Sequence, residues 1–166
     1  MRIYLPATTS VLARLSEAGV LGPEPLTAFA VTPGLREYYL DDDIEELEYA
    51  AANEAARAAL RLIAADPAAA PRRIVIAADV PDSAVEVRDD LDRGVVRVGV
   101  PVQLAWCASV HADDAEAEHT VALAAQRIDD ADLGDAEAEE LVDDAEGFEL
   151  SWYATQEIGD LLADAD

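Results

Sequence analysis

Apolar residues recur with two alternating periods along this chain, and each change of period marks a predicted element. Residues 2–7 read as a short strand. Thr8, Thr9 and Ser10 then offer an N-cap for a helix over 11–18, with Val11, Leu12 and Leu15 on its apolar side and Gly19 as its stop. A second strand spans 26–32 and is broken by Pro33 and Gly34. The clearest element is a helix over 44–65. Asp43 followed by Glu46 makes a start resembling a capping box, and Asp41 and Asp42 add negative charge at the positive helix end. Ile44, Leu47, Ala51, Ala55, Ala58 and Leu62 recur every three or four residues and define one buried stripe, before Pro67 ends the helix.

The β-branched run 73–78 predicts a central strand. Residues 85–87 and 95–100 alternate as a hairpin would around a turn at 89–94, and 104–111 is a further strand. A second helix over 115–128 buries Ala117, Val121, Ala124 and Ile128. The acid-dense stretch 129–146 is either a solvated loop or a short helix near 136–145, pinned only by Leu141 and Val142. A strand at 148–153 and a terminal helix holding Ile158, Leu161 and Leu162 close the chain.

The parts come twice in the same order. A strand opening on Arg2 leads to a second strand, an acidic cap and an Ala-rich helix. A strand opening on Arg73 leads to the 104–111 strand, Asp113 and Asp114, and another Ala-rich helix. The intervening element is a helix in the first copy and a hairpin in the second. Two such strand–x–strand–helix units predict an α+β fold and a single domain over 1–166. The expected architecture is a two-layer α/β sandwich of ferredoxin-like type, with a mixed sheet and helices on one face.

Composition sharpens this picture. The chain has 36 Asp and Glu against 11 basic residues, all Arg, for a net charge of −25. Such a charge repels phosphate and anionic lipid, which excludes direct nucleic-acid and membrane-surface binding. The one local concentration of Arg (72, 73, 88, 93 and 97) is diluted by neighbouring acids. No apolar stretch approaches a membrane span, and no leader-like segment opens the sequence, so a cytoplasmic protein is expected. The Lys-free, Ala-rich composition fits codon bias in a GC-rich genome, or else a halophile's acidic surface. With about a fifth of its residues Ala, the chain predicts closely approaching elements and a thin core. The single Cys107 excludes an internal disulfide and any multi-Cys metal site, and its apolar context predicts a buried, inert thiol.

Few constellations suggest chemistry. His111, Asp113 and Asp114, near Glu118 and His119, carry the ligand types of a divalent-ion site. Helical periodicity places His119 on the solvent side, and Asp113 and Asp114 are expected to cap the helix, so no metal site is assigned. Residues 129–140 have Gly134 and Glu140 at calcium-loop positions, but Ala131 and Leu133 stand where side-chain oxygens are needed. The acids at 41–43, 45 and 46 read as caps and dipole partners. Neither His lies in a nucleophile-elbow context, and no Gly-rich phosphate loop occurs. Tyr38 and Tyr39, just before the acidic cap, form a candidate partner patch. Trp152, alternating with Leu150, is expected in the core.

Several landmarks span nearly the whole chain: 2–8 (Arg-Ile-Tyr-Leu-Pro-Ala-Thr), 30–36 (Ala-Val-Thr-Pro-Gly-Leu-Arg), 45–50 (Glu-Glu-Leu-Glu-Tyr-Ala), 76–80, 110–113 and 152–158. In these the sequence resembles an uncharacterised actinobacterial family of small acidic proteins, a domain of unknown function. The resemblance implies lineage and cytoplasmic location and carries no mechanism.

Without a catalytic constellation, the sequence points to a non-enzymatic interaction or regulatory module that needs no cofactor. It would offer Tyr38, Tyr39, Asp41, Asp42 and Asp43 to a basic protein partner, and a homodimer is compatible with it. The alternative is a small-molecule-binding or hydrolytic domain, with Asp41, Asp43, Asp79, Asp113 and His111 around a divalent ion. DNA mimicry would need carboxylates spaced like phosphates. The common premise is that the acids coat and cap the fold and do not meet His111 in a cleft.

Overall fold

The computed structural model describes residues 1–40 and 42–165. The chain runs β1 (Arg2–Ala7), α1 (Thr9–Ala18), β2 (Val20–Leu21), β3 (Leu26–Phe29), α2 (Pro33–Tyr39), α3 (Ile44–Ala65), β4 (Ile74–Asp79) and β5 (Val85–Val87). It continues through β6 (Val95–Val98), β7 (Val102–Gln103), β8 (Cys107–Ala112), α4 (Glu118–Asp132), α5 (Ala136–Glu146), β9 (Ser151–Tyr153) and α6 (Ile158–Ala165). Among the described residues seven strands form one sheet in the order β5-β6-β3-β1-β4-β8-β9, and β2 and β7 form a separate ribbon. Every pairing is antiparallel, where a mixed sheet was expected.

Local chemistry explains the elements. Thr8 caps α1 through the Val11 N–H, and Gly19 ends it at φ +72°, where its N–H bonds the Leu15 carbonyl. Asp43 caps α3 through the Glu45 N–H. The predicted 129–146 ambiguity resolves as α5, capped by Asp135 through the Ala138 N–H. Pro33 does not merely break β3. Thr32 caps a new helix, α2, with Pro33 in its first turn, where the missing N–H costs nothing.

Period-two alternation in the central strands sends apolar side chains to both faces. Ile3, Leu5, Ile74 and Ile76 pack with Leu12 and Leu15 of α1 and with Ile158 and Leu161 of α6. Tyr4, Val75 and Ala77 face the opposite way, onto Ala51 and Ala55 of α3. Both faces are therefore covered, and the expected two-layer arrangement gives way to helices on each side. The reason is that β1 and β4 are apolar at every position of one face and nearly so on the other. A ferredoxin-like topology is not established by this strand order.

The internal duplication is not established, and the two stretches are alike only in how their strands pair. β1 pairs with its own β3, β4 pairs with its own β8, and β1 and β4 pair at the centre. The helices diverge: α3 lies on the sheet, whereas α4 stacks on α5 and α3 in a separate cluster around Val121, Ile128 and Val142. This stacking buries Leu60 and Ile63 on a second side of α3 and leaves the predicted Ile44 and Leu62 exposed. No described helix is long and apolar enough to cross a membrane.

Candidate functional site

Where α3 runs off the sheet toward β8 and β9, the sheet face is left open, and a half-open cleft of about 610 Å³ forms there. That is the size of a small-molecule site. Its floor is two cross-strand rows, because side chains in register on neighbouring strands share a face. One row is Tyr4, Ala77 and Ser109; the other is Val75, His111 and Trp152. The roof is the Glu48–Ala56 side of α3, and the far wall is the chain from Glu146 to Leu150. Small residues make the hollow: Ala77 on the floor lies opposite Ala52 and Ala56 on the roof.

The polar groups of the cleft are held in place. Tyr4 Oη donates to Glu48 Oε2 at 2.8 Å, and Ser109 Oγ lies 3.0 Å from His111 Nε2. Burial, with a smaller contribution from the Arg2 charge, pushes the His111 imidazole below its usual range, so it is neutral at pH 7. Burial raises the Tyr4 phenol, and its bond to Glu48 raises it further. Tyr49 Oη donates to Glu149 Oε1 at 3.3 Å at the rim.

The three Arg residues of the wall are turned to carboxylates beside or behind it. Arg2 bonds both Asp79 oxygens at 2.7 and 2.9 Å. Arg57 bonds Asp132 at 3.2 Å and Glu139 at 3.1 Å, with Glu146 at 3.9 Å. Arg73 grips Asp113 through Nε and Nη2 at 2.8 and 2.7 Å, and also reaches the Phe148 carbonyl. Two acids of the cleft fare differently. Burial lifts the Glu54 and Glu146 carboxyls above their ordinary value, aided at Glu54 by Asp92 and at Glu146 by Asp143.

These shifts have opposite consequences for stability. Glu54 titrates higher in the folded state than in the unfolded one, so its ionised form opposes folding at pH 7, and the penalty vanishes as pH falls below 4.5. Asp132, held low by Arg61 and Arg57 against the cost of burial, stabilises the fold above 3.8 and loses that effect as pH falls through its folded value. E54Q is therefore expected to raise the urea midpoint at pH 7, and D132N to lower it, each converging on the parent in acid. An E54Q midpoint below the parent's at pH 7 would contradict this account.

The predicted site residues are scattered. Tyr38 and Tyr39 end α2 and meet edge to face, centroids 4.9 Å apart, with the Arg93 guanidinium 3.6 Å above the Tyr38 ring. Tyr38 is 57% exposed, and Tyr39 reaches the mouth of the cleft. Asp41 lies outside the described residues. Asp42 is exposed and Asp43 caps α3. His111 sits in the middle of the cleft floor rather than apart from the acids. Asp113 does not cap α4: it is fully buried on Arg73. Asp114 makes no side-chain cap bond and accepts from Ser151 Oγ at 2.7 Å. His119 is on the exposed side of α4, as its spacing predicts.

Among the described residues no group of three or more His, Cys, Asp or Glu is placed to hold a metal ion. Trp152 is 62% exposed, not in the core, because β9 is an edge strand beyond the reach of α3. Cys107 is partly buried, and burial pushes its thiol up to about 11, so it stays protonated at neutral pH. The Arg72–Arg73 concentration is likewise no basic patch, since both are buried on Glu118 and Asp113.

The cleft residues Arg2, Tyr4, Glu48, Glu54, Ser109 and Glu146 were not singled out from sequence. A signal existed: β1 and β8 each place polar residues two apart, Arg2 with Tyr4 and Ser109 with His111, on one face of an otherwise apolar strand. No curated protein and no solved structure matches the chain. Residues 1–162 match the family model described as Family of unknown function (DUF6912), and with nearly its whole length covered the chain belongs to that family.

Proposed function

We propose that this chain is a binding module, that its site is the cleft beneath α3, and that it holds a small organic group there without transforming it. The observation that carries this reading is the cleft itself: a hollow of about 610 Å³ whose floor is the β1-β4-β8-β9 side of the sheet and whose polar groups are already fixed by Tyr4–Glu48 and Ser109–His111 bonds. Binding is favoured over nucleophilic catalysis because, among the described residues, no carboxylate hydrogen-bonds His111 to orient it as a base for Ser109. The absence of a three-ligand group weighs against a metal-assisted hydrolase. The Lys-free composition suits a GC-rich genome, in keeping with the actinobacterial lineage and cytoplasmic location that the resemblance implies.

A fragment screen followed by two-dimensional NMR tests this reading. Ligands should move the Trp152 indole and His111 imidazole signals and leave the Trp106 indole in place. W152A should weaken the best fragment about tenfold, the size of a lost aromatic contact. A library that moves none of the cleft signals at millimolar concentration would remove the proposal.

One observation favours a second reading, docking of a protein at the α2–α3 corner. Leu40 is 88% exposed at φ +51° beside Tyr38 and Tyr39, and the flanking Asp42 and Asp43 suit a basic partner. L40D would abolish such docking, or a homodimer formed there, while leaving fragment binding in the cleft unchanged.

A further inference from the structure

We infer that the group held in the cleft is an organic cation, an ammonium or guanidinium carried on an apolar body. This rests on the cleft being a binding site, and adds which chemistry it selects.

The first argument is where the charges point. Arg2, Arg57 and Arg73 contribute to the walls, but Asp79, Asp132 with Glu139, and Asp113 neutralise them. Four glutamates, Glu48, Glu54, Glu146 and Glu149, also line the space. Glu48 and Glu149 accept from Tyr4 and Tyr49, which are neutral donors and leave the negative charge in place. Among the described residues the ion-pair partner of Glu146 is the distant Arg57, at 3.9 Å, and the Arg73 charge acts on it from farther off. Among the described residues no hydrogen bond or ion pair reaches Glu54, although it is partly buried. The cleft interior therefore carries more negative than positive charge: Arg93, Arg57 and Arg61 act on Glu54 without a hydrogen bond or ion pair, and Arg57 and Arg61 are already held by Asp132 and Glu139. An anionic ligand would be repelled, and a neutral one would leave Glu54 and Glu146 desolvated without a partner.

The second argument is independent of charge count. Tyr39 and Tyr49 stand at the rim, Trp152 ends the floor row beyond His111, and Val75 and Ala77 of the floor with Leu150 of the far wall give apolar surface between them. Aromatic faces with an apolar floor bind the CH₂ arms and the charged head of an organic cation, whereas a hydrated metal ion gains nothing from them. His111, neutral at pH 7, can accept from an N–H of such a head.

Three probes of one shape separate the cases: phenethylammonium, 2-phenylethanol and 3-phenylpropionate, each titrated while the Trp152 and His111 signals are followed. Acetyl-Gly-Arg-Gly-amide tests whether the cation comes on a protein side chain. The cationic probes should bind about tenfold or more tighter than the alcohol, and the carboxylate should not bind. Whichever cation is tighter, the free amine or the peptide, identifies the source. E54Q should lose about tenfold of that affinity, and the surface control E137Q, with the same change in net charge, should lose none. Equal binding of alcohol and ammonium would overturn the inference yet leave the cleft a binding site. So would an E137Q loss matching E54Q, since the attraction would then belong to the overall charge of −25. If no probe moves the cleft signals, both readings fall.

Discussion

Replacing Arg73 by Met will cost about 3–5 kcal/mol of folding stability, and so will replacing Asp113 by Leu, because each leaves a fully buried charge without its counter-ion. The two side chains are 2% and 0% exposed and share a bidentate contact at 2.7 and 2.8 Å. The pair is bolted to the backbone as well: Asp113 Oδ2 accepts from the Arg73 N–H, and the Asp113 N–H donates to the Arg73 carbonyl. Arg73 further holds the Phe148 carbonyl, which fixes the chain that walls the cleft. The double replacement R73M/D113L removes both charges and should cost less than the sum of the two singles, and less than either alone if the apolar pair packs. It will not reach zero, since the Phe148 carbonyl loses its donor. Urea unfolding of the four proteins gives the coupling energy directly. A single-variant loss below about 1 kcal/mol would mean that water enters the site and that the pair is not the buried anchor described here.

This pair shows why the fold was easier to read than the site. Helix and strand signals are local. Asp43 and Pro67 bracket α3, and its observed bounds, Ile44–Ala65, coincide with those the periodicity predicts. α2 was hidden because Pro33-Gly34 looks like a breaker when the preceding Thr32 is not considered as a cap. The partner of Asp113, by contrast, is 40 residues away, and nothing within a helix-length window distinguishes Asp113 from the adjacent Asp114 as the acid that meets Arg73. The same holds for His111. Its place on the cleft floor depends on the register of β8 against β4 and β9, and register is a property of the assembled sheet. The expectation that acids coat and cap is correct for Asp43 and Asp135. It fails for Asp113, for Glu48 and Glu54, which line the cleft from α3, and for Glu146, which lines it from the end of α5. A single apolar stripe was assumed for α3, but its Ala residues allow close approach on two sides, and the cleft opens where those two contacts diverge.

The second large effect is expected at Asp89, which sequence reading counted only as part of a hairpin turn. Its carboxylate accepts from Thr32 Oγ1 at 2.6 Å, the Gly94 N–H at 2.9 Å and the Gly34 N–H at 2.9 Å. One side chain thus ties the start of α2 to the β5–β6 loop. Burial works against the ionised form, but the Thr32 hydroxyl and the Gly94 and Gly34 amides outweigh it, so the carboxyl titrates below its ordinary range. D89A should cost about 2 kcal/mol at pH 7, a total reduced from three charge-assisted bonds because the group is only partly buried. With a folded value below the unfolded one, this stability is present above pH 3.8 and disappears as pH falls through the folded value. G34A should imitate D89A without touching the acid, because the added Cβ would stand 2.6 Å from the Asp89 carboxyl carbon and force the two apart. Hydrogen exchange at the Gly34 and Gly94 amides should accelerate in both variants, while exchange at the buried β4 amides follows only the global loss. Unchanged Gly94 exchange in D89A, or a stability loss below about 0.5 kcal/mol, would show that α2 and the hairpin hold together through Leu35 and Val95 packing instead.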